Sequence, residues 1–417
     1  MKTWKSEKSV RIVIIGAGIV GCCAALWLQR AGHSVTLVDR NDPGTGASFG
    51  NAGCIASFEC APVAAPGIAW KVPHMLMDPI GPLSIKWRYL PHLSGWLVRF
   101  LLASRQAQFD RIATSIQSLL PYVMPSYEAL LGHRSSRELL HAGGALIVYD
   151  QNMNEGAARN SIAFHRDRGI DCQLLSAREV RELEPALAPI YSGGVLFPDN
   201  VYVKSPKGFV EHIFREFTAH GGHYVKADVR TVKKTASGLA VVTDNGLLQA
   251  DRAILAGGAW SNEIVRSIGE SIPLDTERGY HVTFDGAESL LSRPVCYMPT
   301  GFYLTPMDGA LRAAGTVELG GLKASPSPER FNVLADQTKR LLPGVGSPSS
   351  QWMGFRPSMP DSKPVIGPSK TMSGLYYAFG HGHLGLSFGA LTGYILMAMI
   401  DQAECPVDPL PFAATRF

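Results

Sequence analysis

Residues 10–40 read VRIVIIGAGIVGCCAALWLQRAGHSVTLVDR, and the order of residue types in this stretch decides the fold. Residues 10–15 are short, β-branched and apolar except for Arg11, as expected of a strand buried on both faces. They run straight into Gly16-Ala17-Gly18-Ile19-Val20-Gly21, so the local order is strand, glycine turn, helix. Gly16 permits the tight turn, Gly18 lets a pyrophosphate approach the backbone, and Gly21 lets the helix lie close to the strand. Free N–H groups at the helix start, around Ile19 and Val20, favour an anion there. A helix over 22–31 stops at Gly32, and a second strand over 34–38 delivers Asp39, followed by Arg40. A carboxylate in that place takes both hydroxyls of an adenosine ribose and repels a 2′-phosphate. An ordinary glycine turn would explain the glycines but not the acid that stands in register with them.

At 417 residues the chain exceeds a usual single core, so two intertwined domains are expected. A net charge of +4 is too mild over this length for nucleic-acid binding, which leaves a small-molecule partner. Seven cysteines is an odd count and Cys22 and Cys23 are adjacent, which suits a reducing compartment. No cysteine or histidine spacing suits zinc, and no metal is expected. Residues 1–9 lead into a strand rather than a continuous apolar run, so a signal peptide is not expected and the expected location is the cytoplasm. The apolar segment 384–400 is short for a membrane span and carries Gly385, Gly389 and Gly393; it reads as a buried core helix. Segment 83–103 is apolar and aromatic but broken by Lys86, Arg88, Pro91 and Arg99. It suits an amphipathic surface or lid element able to make peripheral contact with the inner face of a membrane.

After Arg40 comes a stretch of small residues, 41–55, without helical or strand period. Such a loop lets a flat ring pass close to the backbone, with Ser48 and Asn51 available for phosphate or ring edges; a plain solvent loop is the alternative. Residues 57–100 are proline-rich and carry Trp70, Trp87 and Trp96, and helical period resumes over 109–131. A strand over 145–149, a helix over 154–168, a capping box opening at Ser176 and a strand over 193–197 follow. A capped helix from Ser205 precedes short strands and an Asn245-Gly246 hairpin. Residues 253–261 then repeat the pattern of buried strand into glycine turn, which marks the return of the nucleotide domain.

GAGIVG at 16–21, Asp39, SFGNAGCIA at 48–56, ILAGGAWS at 254–261, GFRPSMPDSKPVIG at 354–367 and YAFGHGHLGLSFGALTG at 377–393 occur in this order. Together they resemble the FAD-dependent amine oxidoreductases of the D-amino-acid oxidase and glycine oxidase superfamily, and within it the bacterial D-amino-acid dehydrogenases. The resemblance implies an α/β fold: a Rossmann-type FAD-binding domain with an inserted α+β substrate domain built on an antiparallel sheet. It places the FAD domain at 1–57, 201–262 and 352–417 and the substrate domain at 58–200 and 263–351. It implies that Gly16, Gly18, Ile19, Val20, Gly21, Asp39 and Arg40 hold the ADP half, with Val229 beside the adenine. Ala256, Gly257 and Trp260 would close over the nucleotide, and Ser48, Asn51, Ala52 and Gly53 would pass along the flavin. Gly380, Gly382, His383, Leu384 and Gly385 precede an apolar helix, so their N–H groups would face the flavin N1 side, where negative charge develops on reduction. No cysteine stands in 380–387, so dissociable, non-covalent FAD is expected.

Arg356 sits between apolar residues and two prolines, and a guanidinium fork suits a substrate carboxylate; a structural arginine bonding loop carbonyls is the alternative. Tyr280 or Tyr303 would complete that clamp, with His383 and His281 as polar contacts or plain structural histidines. The resemblance then implies oxidation of a D-amino acid, or an imino acid such as D-proline or hydroxy-D-proline, by hydride transfer from Cα to flavin N5. Hydrolysis to the 2-oxo acid follows without a dedicated general base. N-methylglycine or glycine oxidation shares every FAD motif, and a flavoprotein electron-transfer subunit or an NAD enzyme are the other readings. The expected acceptor is a quinone or dye rather than oxygen, and a homo-oligomer is compatible with all of this.

Overall fold

The computed structural model describes residues 1, 4–70, 81, 83–150 and 155–417. The proline-rich stretch over 71–80 and the expected helix start at 154 lie outside them. Strand Arg11–Ile15 pairs in parallel with Ser34–Asp39 on one side and with Arg252–Leu255 on the other. His223–Lys226 and Leu375–Phe379 extend the sheet in parallel at its two ends, and Val365–Pro368 closes it antiparallel. Its strands therefore come from distant parts of the chain, as a discontinuous nucleotide domain requires.

Alternate residues of the first strand serve two cores. Ile12 and Ile14 pack with helices Ile19–Arg30, Pro206–Ala219 and Gly385–Ile400, whereas Val13 and Ile15 pack under the antiparallel sheet Val229–Thr235, Gly238–Thr243 and Gly246–Ala250. Burial on both faces is why the strand carries no polar alternation. The last helix is buried on every side and lies against the first at its glycines: a Cβ on Gly393 would stand 2.8 Å from Ala24 N, and one on Gly389 3.0 Å from Ile19. Trp27 Nε1 donates to the Ala390 carbonyl at 2.9 Å and fixes the register.

Among the described residues the second sheet has nine strands. Ser350–Ser358, Asp275–Asp285, Ala310–Leu319, Phe302–Met307 and Val295–Tyr297 run antiparallel in that order. Ala145–Tyr149 joins them in parallel, followed by Gly193–Phe197 and Gln173–Ser176, while Leu83–Ile85 pairs in parallel with the end of Ala310–Leu319. The expected antiparallel sheet is thus antiparallel at its centre and mixed at its margins. Helix Pro328–Leu341 covers one face through Phe331 and Leu334, packed on Tyr280, Val282 and Leu304.

Two expected limits meet elements that ignore them. Position 352 falls within Ser350–Ser358, a strand of the second sheet. Ile112, Ile116, Val123 and Tyr127, expected with the substrate domain, pack in the same core as the first and last helices. The 83–103 segment divides into strand Leu83–Ile85 and helix Leu90–Ala103. That helix buries Leu93, Trp96, Phe100 and Ala103 and exposes Val98, Leu101 and Leu102. Among the described residues no helix is long and apolar enough to cross a membrane.

Candidate active site

A cavity of about 560 Å³ runs between the two sheets, from Asp39, Arg40 and Val229 past the glycine turn to Arg356 and His383. Its first part is built by two strand ends lying side by side. Ala256 N–H donates to the Ile15 carbonyl at 2.8 Å, so the turns after Ile15 and Leu255 face each other. Gly16, at φ +110°, could not carry a side chain, because its Cβ would meet the Ala256 oxygen at 2.4 Å. A Cβ on Gly21 would stand 1.8 Å from the Gly16 oxygen, so the helix can start this close only as glycine. Asp39 holds the turn itself: Oδ2 accepts from Ala17 N–H at 2.7 Å and Oδ1 from Asn41 N–H at 2.9 Å. The Arg40 guanidinium lies 4.6 Å over the Trp260 ring and 4.0 Å from Asp228, beside Val229. Asp39, Arg40, Val229, Ala256, Gly257 and Trp260 thus border one end of the cavity.

The small-residue loop is stapled from both sides. Ser48 Oγ accepts from Ile19 N–H at 3.0 Å and so caps the first helix, at the place where an anion would also be received. Asn51 borders the cavity, but its carboxamide is engaged within the loop. Its carboxamide donates to the Ser48 carbonyl at 2.9 Å and accepts from Gly53 N–H at 2.8 Å, because a loop without regular structure must satisfy its own backbone. From the second sheet, Arg312 Nη1 donates to the Phe49 and Asn51 carbonyls at 3.0 and 2.9 Å. His281 Nδ1 lies 3.1 Å from the Gly50 oxygen, and its ring stacks on Trp352 at 5.2 Å. Burial pushes Arg312 down to about 10 and, together with the Arg312 charge, His281 down to about 4, so one staple is cationic and the other neutral at pH 7. The bond from Arg312 joins residues far apart in sequence, and no local pattern announces it.

At the other end, Arg356 stands opposite Glu277 in the strand pair. Its Nη1 donates to the Thr316 carbonyl at 3.0 Å, and Thr316 takes φ +57° to present that oxygen. The guanidinium lies flat over Gly279, where a Cβ would come within 2.6 Å of Cζ. Burial lowers the Arg356 pKa and Glu277 opposes the effect; Glu277 is itself held by Ser358 Oγ at 2.6 Å. His383 borders the cavity, and desolvation with the Arg356 charge pushes it down to about 4, so it is neutral at pH 7. Tyr303 also borders the cavity, and burial raises its phenol well above the ordinary value.

Tyr280 does not offer its hydroxyl to the site. It donates to Glu318 Oε1 at 3.0 Å and accepts from Ser327 N–H at 3.1 Å, with its ring edge-on to Phe331 in the core under helix Pro328–Leu341. The strand keeps regular register with Ser350–Ser358 through Arg278, Gly279 and Tyr280, so its alternation turns Tyr280 to the face opposite Gly279; the bulge here lies on the neighbouring strand Ala310–Leu319. Two N–H groups expected to face the cofactor are also committed: Gly382 donates to the Pro357 carbonyl at 2.7 Å and Leu384 to the His381 carbonyl at 2.9 Å. Gly380 turns at φ +81° against Met359, and His381 is buried on Thr392 at 2.9 Å. Gly382, His383, Gly385 and Leu386 remain along the cavity wall, with the first-turn N–H groups of the last helix free of intrahelical acceptors. Glu277, Gly279, Thr316 and Glu59 line the cavity without any signal in the sequence. Glu59 borders the cavity in a segment read only as proline-rich, and burial pushes its carboxyl up to about 7.

The cradle fits an extended dinucleotide. An acid and a stacked cation stand at one end, a turn that tolerates no Cβ and an open helix start in the middle, and a stapled loop of small residues beyond. The family model described as FAD dependent oxidoreductase matches residues 11–399. A D-amino-acid oxidase of Bradyrhizobium diazoefficiens is 36% identical, over 97% of this chain and 98% of its own. A D-amino acid dehydrogenase of Vibrio vulnificus is 31% identical, over 95% of this chain and 98% of its own. Among solved structures, a glycine oxidase from Geobacillus kaustophilus superimposes with a TM-score of 0.77 at 21% identity, covering 98% of this chain and all of its own.

Proposed function

The chain belongs to the FAD dependent oxidoreductase family and is an FAD-dependent amine oxidoreductase, and within that frame we propose that it oxidatively deaminates D-amino acids. The observation that carries the proposal is the Arg356 guanidinium, laid over Gly279 at the end of the cavity away from Asp39, with His383 neutral beside it. FAD, held non-covalently in the cradle, supplies the two-electron acceptor for the hydride that leaves the substrate Cα.

The chain does the rest by binding and by charge. Arg356 takes the carboxylate, and because Thr316 already holds Nη1, the fork is oriented before substrate arrives. A substrate ammonium beside this buried cation is disfavoured, so the amine binds neutral and its lone pair assists departure of the hydride. His383, at about 4, is too weak a base to take the ammonium proton, which therefore goes to water as the substrate enters. Tyr303 adds a neutral phenol to the same wall. The imino acid then hydrolyses to the 2-oxo acid and ammonia. A cyclic imino acid such as D-proline presents the same carboxylate and lone pair and belongs to the proposed range.

Anaerobic bleaching of the bound flavin tests the reading without any acceptor. D-alanine, D-norleucine, D-lysine and D-proline are compared with their L-forms and with sarcosine. Reduction by D-amino acids ahead of the L-forms is expected; reduction by sarcosine alone would assign the enzyme to N-methylglycine oxidation instead.

A further inference from the structure

Glu59 is a carboxylate on the cavity wall, and among the described residues burial and the Ala61 backbone, not a cation, set its charge. Its neighbours Cys54, Cys60, Cys296 and Tyr303 are all neutral at pH 7 because burial raises each of them; the Arg168 guanidinium acts on Cys60 but does not act on Glu59. The Ala61 backbone offers it a hydrogen bond but no charge. A carboxylate enclosed in this way is costly unless a bound cation completes it.

The sheet register locates it relative to Arg356. The guanidinium reaches Thr316 on strand Ala310–Leu319. Tyr303 stands on the next strand, opposite Ala314, and Cys296 on the one after, opposite Tyr303. Ala314, Thr316 and Tyr303 all line the cavity. The floor between the guanidinium and the Glu59 neighbourhood therefore spans one to two strand spacings and two residues along the strand, roughly 8–12 Å. That is commensurate with an amino acid whose carboxylate sits on Arg356 and whose side chain ends in a cation.

We infer that Glu59 is the specificity residue for the substrate side chain and selects D-amino acids with a cationic end, the lysine, ornithine and arginine class. The inference rests on the deamination reading above. Glu59 acts on the far end of the substrate and takes no part in the bond changes at Cα.

Two measurements on the FAD-loaded protein test it. The first is the ratio of kcat/KM for D-lysine to that for D-norleucine, its uncharged analogue, in the wild type and in Glu59→Gln. The wild type is expected to favour D-lysine, and the substitution to lower the ratio by on the order of 30-fold or more, as expected when one partner of a desolvated charge pair is removed. The second reads binding alone: perturbation of the flavin spectrum by 6-aminohexanoate and by hexanoate, which share the carboxylate and lack the α-amine. Tighter binding of 6-aminohexanoate in the wild type and parity in Glu59→Gln are expected. A wild type that prefers D-norleucine, or a substitution that leaves the ratio unchanged, overturns the inference while the deamination reading stands. If no α-amino acid reduces the flavin but 6-aminohexanoate still binds preferentially through Glu59, the deamination reading falls and the cation site remains.

Discussion

Arg356 and Glu59 are the residues on which single substitutions discriminate most sharply. Arg356→Ala should lower kcat/KM for amino acids by about 3–5 kcal/mol, because a desolvated carboxylate loses its charged partner. Arg356→Lys should rescue only part of this, since an ammonium gives a point charge without the fork that Thr316 orients. Flavin content should stay at the wild-type level in both; loss of FAD instead would show that the two ends of the cavity are not separable. Glu59 makes a prediction about stability. Its carboxyl is raised from 4.5 to about 7 in the fold, so its neutral form is the one the fold favours. The associated stability is fully present below pH 4.5 and is lost as pH rises through 7. Ligand-free Glu59→Gln should therefore match the wild type near pH 4.5 and exceed it at pH 8 by about 1–3 kcal/mol in denaturant melts. A wild type that is the more stable at pH 8 would show that the carboxylate already has a partner.

Three helices carry predictions that depend on how whole faces meet. The first and last helices touch through glycine, and a Cβ on Gly393 would press on Ala24 N at 2.8 Å. Gly393→Val should therefore part the helices and cost about 1–3 kcal/mol, read as a lower Tm of the holoprotein. An unchanged Tm would mean that the pair can slide. Helix Leu90–Ala103 differs in having one side that is exposed among the described residues: Val98, Leu101 and Leu102 beside Arg99, with Trp87 exposed just before it. We propose that this side rests on an anionic membrane surface. Co-sedimentation with vesicles containing phosphatidylglycerol should fall several-fold in Leu101→Ser/Leu102→Ser, and equal sedimentation of both proteins would remove the membrane from the account. Contact with a membrane would favour a quinone acceptor, whereas hydrogen peroxide released at the full dye-linked rate would favour oxygen.

At the scale of the molecule, the nucleotide unit and the second sheet meet across the FAD cradle, and Arg312 ties the second sheet to the loop that lines it. Arg312→Met should leave the Phe49 and Asn51 carbonyls without their donor and weaken FAD binding by on the order of 10-fold, measured by flavin fluorescence titration, with little change in secondary structure. Full FAD affinity in that variant would place the stapling elsewhere. Gly16, Gly21 and Asp39 were legible in the sequence because their roles are local: strand, turn, helix and acid lie within thirty residues, and sterics at each step admit few alternatives. The apolar last helix was legible for the same reason, since a run without charge has to be buried. Arg356 was legible only through its motif, and its orientation was not, because Thr316 and Gly279, which set it, stand on other strands. The hydroxyl of Tyr280 was not legible, because Glu318 and Ser327, which take it, stand on other elements, and the bonds of Asn51 within its own loop were not legible either. Glu59 carried no signal at all: an acid in a proline-rich stretch becomes a site only when Cys54, Cys296 and Tyr303 close around it. The sequence by itself determined the cofactor cradle, because contacts between near neighbours dictate backbone geometry. Tertiary structure alone decided what faces the substrate, because that depends on strand register and on which charges the fold leaves without a partner.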